Sequence, residues 1–253
     1  MGLREDIIST VKYAQMEEAA RSELLNLLKI TSFDFRRTDK FSGKDWNKFR
    51  EYIVARIIPE KMADLMKYKS ILDTLCGDIY IENEHYNYMG LEIKPGRPED
   101  IPEDASQEIL FDGIESRIIE EIRNAKYVIW VAMAWFTNEK IYKELVKKKQ
   151  EGLSITLVLD NNDRNHNSGL DYSVFETYEL KIPSNYTNYM HDKFCIIDFR
   201  TVIHGTFNWT KAANFNKETS EVETGKRDKV DSFADEFIRL KKAAINQLVV
   251  SAF

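Results

Sequence analysis

An alternation that runs from residue 108 to residue 160 constrains this chain more than any other feature. "EILFD" is followed by a helical "GIESRIIEEIRNA", the apolar "YVIWVAMAW", a second helical stretch "NEKIYKELVKKKQEG" with a glycine stop, and then "LSITLVLD". Apolar runs of strand length separated by amphipathic helices read as βαβ units. Such units lay strands in a mixed, mainly parallel sheet with right-handed crossovers and helices on both faces. A polar loop "NNDRNHNSG", an amphipathic "LDYSVFETYEL" and extended structure over 189–206 come next. A last helix is expected over about 228–248, with Val230, Phe233, Phe237, Leu240 and Ile245 along one side. No internal repeat is visible.

The first hundred residues follow another pattern. Leu24, Leu25, Leu27 and Leu28, and later Phe49, Ile53, Ile57 and Ile58, recur at helical spacing. They predict about four helices before residue 75, broken at Ser42-Gly43 and Pro59. "GDIYIENEHYNYMGLEIKPG" alternates in period two on both sides of "NEH" and reads as a hairpin. "KPGRPEDIPEDASQ", 94–107, gathers three of the five prolines and reads as a linker. The chain therefore divides into a mostly helical N-terminal domain, 1–103, and an α/β domain, 104–253.

Composition narrows the class. The chain has 253 residues, 43% apolar, enough for a real core. A formal charge of -6 argues against coating nucleic acid by bulk electrostatics, although it leaves room for a local basic cleft. Cys76 and Cys195 are far apart and one falls in a core strand, so a reducing compartment is expected. The charged opening "MGLREDIIST" has no secretory pattern, Asp6 spoils a myristoylation signal at Gly2, and no apolar run reaches the ~18 residues of a membrane span. The expectation is a soluble cytoplasmic protein.

The chemistry gathers in "YMHDKFCIIDFRTVIHGTFNWT", 189–210. If this stretch is a strand, His191 and Lys193 share a face with Cys195, while Phe194 and Ile196 turn away. Asp198 stands five residues past Lys193. Gly205, Thr206 and Asn208 follow one short strand later, and "NFNKE" supplies Asn216 and Glu218. In this ordered set the chain resembles the phospholipase D superfamily, whose signature is H-x-K, four residues, D, then G-S/T-x-N and a downstream N-x-E. The resemblance covers roughly residues 105–250 and implies a phospholipase D-like fold and a phosphodiesterase working without metal or cofactor.

A phosphodiester resists nucleophiles because it is anionic. Metal-free cleavage needs a neutral imidazole to attack, fixed positive charge on the non-bridging oxygens, and a second acid for the leaving alcohol. The resemblance assigns attack or acid duty to His191, and phosphate binding to Lys193 and Asn208. Glu218 would hydrogen-bond the imidazole, and Thr206 would offer a hydroxyl where the family more often has Ser. Asp198 belongs to the catalytic signature, yet at a strand end it is also suited to fixing the turn "DFRT" through backbone contacts. His85, His166 and His204 lack a lysine and aspartate at the required spacing, so there is one motif. A single motif implies a homodimer through the catalytic domain with one composite site.

Other residues read more plainly. His204 is expected to be structural, His166 solvated, and Asp160 a loop anchor. Trp135 and Phe136 read as packing rather than base-stacking, Trp209 as packing beneath the phosphate loop, and Lys147, Lys148 and Lys149 as a solvated helix end. The leading expectation is a nuclease on DNA or RNA, an effector of a bacterial defence or restriction system, whose N-terminal domain mediates protein contacts, regulation or oligomerisation. A phospholipase or phosphatidyl transferase acting on lipid, and a catalytically silent scaffold, stay open.

Overall fold

The computed structural model describes residues 2–45, 47–81, 83–96, 105–183 and 188–251, with the side chains of Val250 and Ser251 excepted. Two compact units, Met1–Pro102 and Glu103–Phe253, each have their own core. Most of the proline-rich linker expected at 94–107 lies outside the described residues.

In the first unit, helices α1 (Leu3–Tyr13), α2 (Glu18–Lys29), α3 (Pro59–Met66) and α4 (Lys69–Ile79) accompany strands β1 (Ser32–Phe41), β2 (Phe49–Ile57) and β3 (Tyr86–Pro95). The sheet order is β1-β2-β3, with β1 antiparallel and β3 parallel to β2. Four helices form, but not all where expected: Ser32–Phe41 and Phe49–Ile57, both within the stretch read as helical, are strands. Phe49, Ile53 and Ile57 are four residues apart, a spacing that also places them on one face of a strand; β-branched and aromatic neighbours tip the balance. The hairpin is likewise replaced. Gly77–Ile79 finishes α4, and β3 returns parallel to β2 after the α3–α4 crossover.

The second unit is a seven-stranded sheet between helices. Its strands are β4 (Ser106–Leu110), β5 (Val128–Met133), β6 (Ser154–Asp160), β7 (Glu176–Leu180), β8 (Lys193–Ile197), β9 (Thr201–Gly205) and β10 (Ser220–Thr224), in the order β4-β10-β9-β8-β5-β6-β7. Helices α5 (Ile114–Asn124) and α6 (Glu139–Gln150) cover one face, and α8 (Arg227–Ser251) the other; a single short turn, α7 (Asp163–His166), follows β6. Alternation decides which residue faces which layer. Ile129, Val131 and Met133 of β5 pack with Ile118, Ile122, Ile141 and Leu145, while Val128, Trp130 and Ala132 pack with Val230, Phe237 and Leu240. Trp130 stacks on Phe237 with ring centroids 4.6 Å apart.

The sheet is mixed, as expected, but only β5-β6-β7 pair in parallel; β5-β8, β8-β9, β9-β10 and β10-β4 are antiparallel. A three-residue turn joins β8 to β9, so no helix intervenes there and the parallel rule lapses. The amphipathic "LDYSVFETYEL" forms a 3-10 turn and strand β7. In α8, Ile245 sits at the exposed end of the apolar side. No helix among the described residues is long and apolar enough to cross a membrane.

Candidate active site

Strand register brings distant residues to one end of the second sheet. Lys193 opens β8 and pairs with Met133 at the close of β5; Leu159 of β6 lies beside the same Met133. Gly205 ends β9 opposite Ser220, the first residue of β10. The loops carrying Trp135, the 160–166 turn, His191, Thr206–Asn208 and Glu218 therefore converge.

His191 does not lie in the strand with Lys193. It sits in the loop before β8 and is exposed, while the backbone on each side is pinned. The Met190 amide donates to Asp160 Oδ1 at 2.7 Å, and the Ala134 amide donates to the Asp192 carbonyl at 2.9 Å. The His191 ring meets the Trp135 indole edge-on, centroids 5.4 Å apart. Phe194 and Ile196 face the α8 layer and Cys195 the opposite layer, as the alternation requires.

Lys193 is half-buried, and its Nζ donates to the His191 carbonyl at 2.8 Å. Burial lowers its pKa from the ordinary lysine value, against the opposing pull of Asp192 and Glu218. Asn208 Oδ1 is buried with no hydrogen-bond partner among the described residues, an acceptor that lacks a donor. Trp209 next to it is buried, and its carbonyl accepts the amides of Thr137 and Asn138 at 2.8 and 2.9 Å, tying this loop to the end of β5.

Glu218 and Thr206 form a unit of their own. The Thr206 hydroxyl donates to Glu218 and accepts the Thr219 amide at 3.0 Å, and Asn216 Nδ2 donates to the other Glu218 oxygen at 3.0 Å. Within one chain Glu218 is thus held by Thr206 and Asn216.

Asp198 lies at the other end of β8, roughly 16 Å of strand from Lys193. Its carboxylate accepts the amides of Lys126 and Tyr127 at 2.8 Å and of Val128 at 3.0 Å. Asp198 and Phe199 both take positive φ, 54° and 48°, in the β8–β9 turn. The structure thus separates Asp198 from His191, Lys193, Asn208 and Glu218; it anchors the start of β5 to the turn.

Among the residues read as plain, Phe136 and Trp209 are core, whereas Trp135 is only partly buried and stands at the site. The residues that sequence reasoning passed over are Asn162 and Asn165. Asn165 is 2% exposed; its Oδ1 accepts the Phe136 amide and its Nδ2 donates to the carbonyls of Ala134 and Asp160, while Asn162 Nδ2 donates to Asp160 Oδ2 at 2.6 Å. In sequence these are two asparagines of a polar loop, with no signal that they enter the core.

His204, Glu221 and Glu223 are close enough to hold a cation. The site does not fit one well, because Lys226 and Lys229 already stand 2.9 and 2.8 Å from the Glu223 carboxylate. His204 also packs against the Phe233 ring at 4.9 Å, on the face that α8 covers.

Comparison with known proteins follows this geometry. Residues 118–241 match the family described as cardiolipin synthase, PLD-like domain. The chain is 29% identical over 99 residues to mitochondrial cardiolipin hydrolase of Chlamydomonas reinhardtii, covering 39% of this chain and 44% of that protein. It is 23% identical over 131 residues to the Danio rerio protein of the same name, covering 51% and 57%. The chain thus spans about half the length of these curated relatives. Among solved structures, Nuc from Salmonella typhimurium, a phospholipase D family member, aligns at 25% identity and TM-score 0.46 over 55% of this chain and 96% of that one. NucT from Helicobacter pylori aligns at 18% identity and TM-score 0.48 over 55% and 98%. The seven-stranded sheet with helices on both faces defines the α/β class of the second unit. These matches support the phospholipase D superfamily for the second unit.

Proposed function

We propose that the second unit is a metal-independent phosphodiesterase acting on nucleic acid. The observation that carries this reading is an exposed His191 with Lys193 behind it, on a mouth that also bears the exposed cations Arg164, Lys211 and Lys217 in an otherwise acidic chain. Backbone phosphates are held by such local cations whatever the total charge.

The chemistry takes two balanced steps. A neutral His191 nitrogen attacks phosphorus, a P–N bond forms and the P–O bond to the leaving group breaks, with Lys193 and Asn208 holding the non-bridging oxygens. Water then attacks the phosphohistidine, restoring the imidazole. The leaving alkoxide needs a proton that His191 cannot give while it attacks. A second copy of the chain supplies it through its own His191, and the same imidazole then takes the proton of the attacking water. The exposed Phe215, 84% accessible between Asn208 and Glu218, suits a surface that meets such a copy.

Lipid is the second reading. The named activity of the cardiolipin hydrolases favours it, and Phe215 and Tyr189 would then touch a bilayer. The first unit, with its separate core, is proposed to bind a protein partner and regulate the second, as a defence effector in the cytoplasm would require.

The test is cleavage in EDTA by wild type and His191→Ala, offered single- and double-stranded DNA, RNA, and cardiolipin-containing vesicles. Nucleic-acid cleavage that survives chelation and drops at least a thousandfold in the variant is the expected result. Cleavage of vesicles alone would replace this reading with the lipid one.

A further inference from the structure

Trp135 is an indole whose placement core packing does not explain. Its chain neighbours Ala134 and Phe136 are fully buried, and Asn165 clamps the backbone on both sides of it. The indole itself is left partly exposed on this rigid loop. The indole makes T-shaped contacts with His191 and Tyr189, ring centroids 5.4 and 6.3 Å apart. Over its face, 5.0 Å from the centroid, lies the guanidinium of Arg164, which is exposed on the turn after β6. Among the described residues Arg164 makes no ion pair with a carboxylate.

A rigid, half-open aromatic ring beside the nucleophile, with a planar cation resting on it, has the form of a base-stacking platform. The guanidinium covers the face that a nucleobase would use. On binding, the base takes that face, and the arginine, with no acid to leave behind, turns to the adjoining phosphate or sandwiches the base. A base within a duplex is stacked on both sides and reaches the indole only by flipping out, which is costly.

Resting on the nucleic-acid reading above, we propose that Trp135 and Arg164 capture one unstacked base flanking the scissile phosphate, and that this pair makes the enzyme select single strands over duplex.

The test uses the full-length protein in EDTA with a labelled single-stranded oligonucleotide, the same sequence as duplex, and the single strand with one abasic residue placed in turn on each side of the cleavage point. Methyl p-nitrophenyl phosphate, which has no base, reports phosphodiester cleavage alone. Wild type is expected to prefer the single strand and to lose roughly ten- to hundredfold in kcat/KM on one of the abasic strands. Trp135→Ala should show that loss on the intact strand, mostly in KM, and become indifferent to the abasic position; Trp135→Phe should retain most of the preference. Arg164→Ala should raise KM several-fold. Equal cleavage of single strand and duplex by wild type, or no abasic effect in wild type, would overturn the proposal while leaving a nuclease intact, and neither result depends on a variant folding. Cleavage of methyl p-nitrophenyl phosphate or of vesicles with no nucleic acid cut would remove the nucleic-acid reading and this inference together.

Discussion

Asp160, at the end of β6, holds the backbone amide of Met190 at 2.7 Å, one residue ahead of His191. The carboxylate is 2% exposed, and its other oxygen accepts Asn162. The imidazole therefore stands on a loop whose position is set by a buried charge thirty residues earlier in the chain. Asp160→Asn would turn one acceptor into a donor facing either the Met190 amide or the Asn162 amide group. We expect a loss of about 1–3 kcal/mol in stability and at least a tenfold fall in kcat. Thermal unfolding and steady-state kinetics on the folded fraction check both, and an unchanged kcat would show that the anchor does not position His191.

Asp198→Ala separates the signature aspartate from the chemistry. Its carboxylate satisfies three backbone amides near the start of β5, so the variant should lose about 3 kcal/mol of stability. Activity per folded molecule should stay within a few-fold of wild type. A fall as deep as that of His191→Ala, at full folding, would return Asp198 to the catalytic set.

Gly205 has φ 153°, and a Cβ there would stand 2.1 Å from the Thr219 carbonyl. The β9 and β10 backbones can touch at this point only because glycine has no side chain. Gly205→Ala should cost about 3 kcal/mol or more and should displace Thr206 from Glu218. Denaturant titration together with KM for the substrate is the check.

The alkaline limb of the rate should report Lys193. Burial lowers its pKa from the ordinary 10.5. The buried ammonium destabilises the fold below its depressed pKa, and the penalty fades as pH rises through that value toward 10.5. Deprotonation therefore relieves the fold while removing the phosphate-binding cation. Activity should fall with an apparent pKa below 10.5 under conditions where this residue gives no loss of melting temperature. Lys193→Arg, charged throughout, should be slower at neutral pH but should lack that limb.

Acid stability should depend on Glu144. Arg123 reaches it from α5 through two bonds, 2.9 and 3.1 Å, and Lys147 through one of 2.9 Å; together they hold its carboxyl at about 2 against an ordinary 4.5. This stabilisation is fully present above 4.5 and is lost as pH falls from there through 2. Wild type should melt above Glu144→Gln at pH 6, and the gap should close near pH 2.

The amino-acid sequence by itself determined the alternation of βαβ pattern over 108–160, because strand and helix periods are local and survive any packing. It also carried the ordered His191, Lys193, Asn208 and Glu218 set, which is legible through its resemblance to the phospholipase D superfamily signature. It misread Phe49–Ile57, where a spacing of four serves strand and helix alike, and it placed His191 in a strand that begins only at Lys193. Tertiary structure alone decided the rest. The antiparallel pairing of β8, β9 and β10 carries Asp198 to the end of the sheet away from His191. Side-chain bonds between loops tie Glu218 to Thr206 and Asn216, drive Asn165 into the core, and leave Trp135 half open beside His191. Those outcomes depend on which strand ends meet in space, and contacts between residues tens of positions apart leave no periodic mark on the sequence.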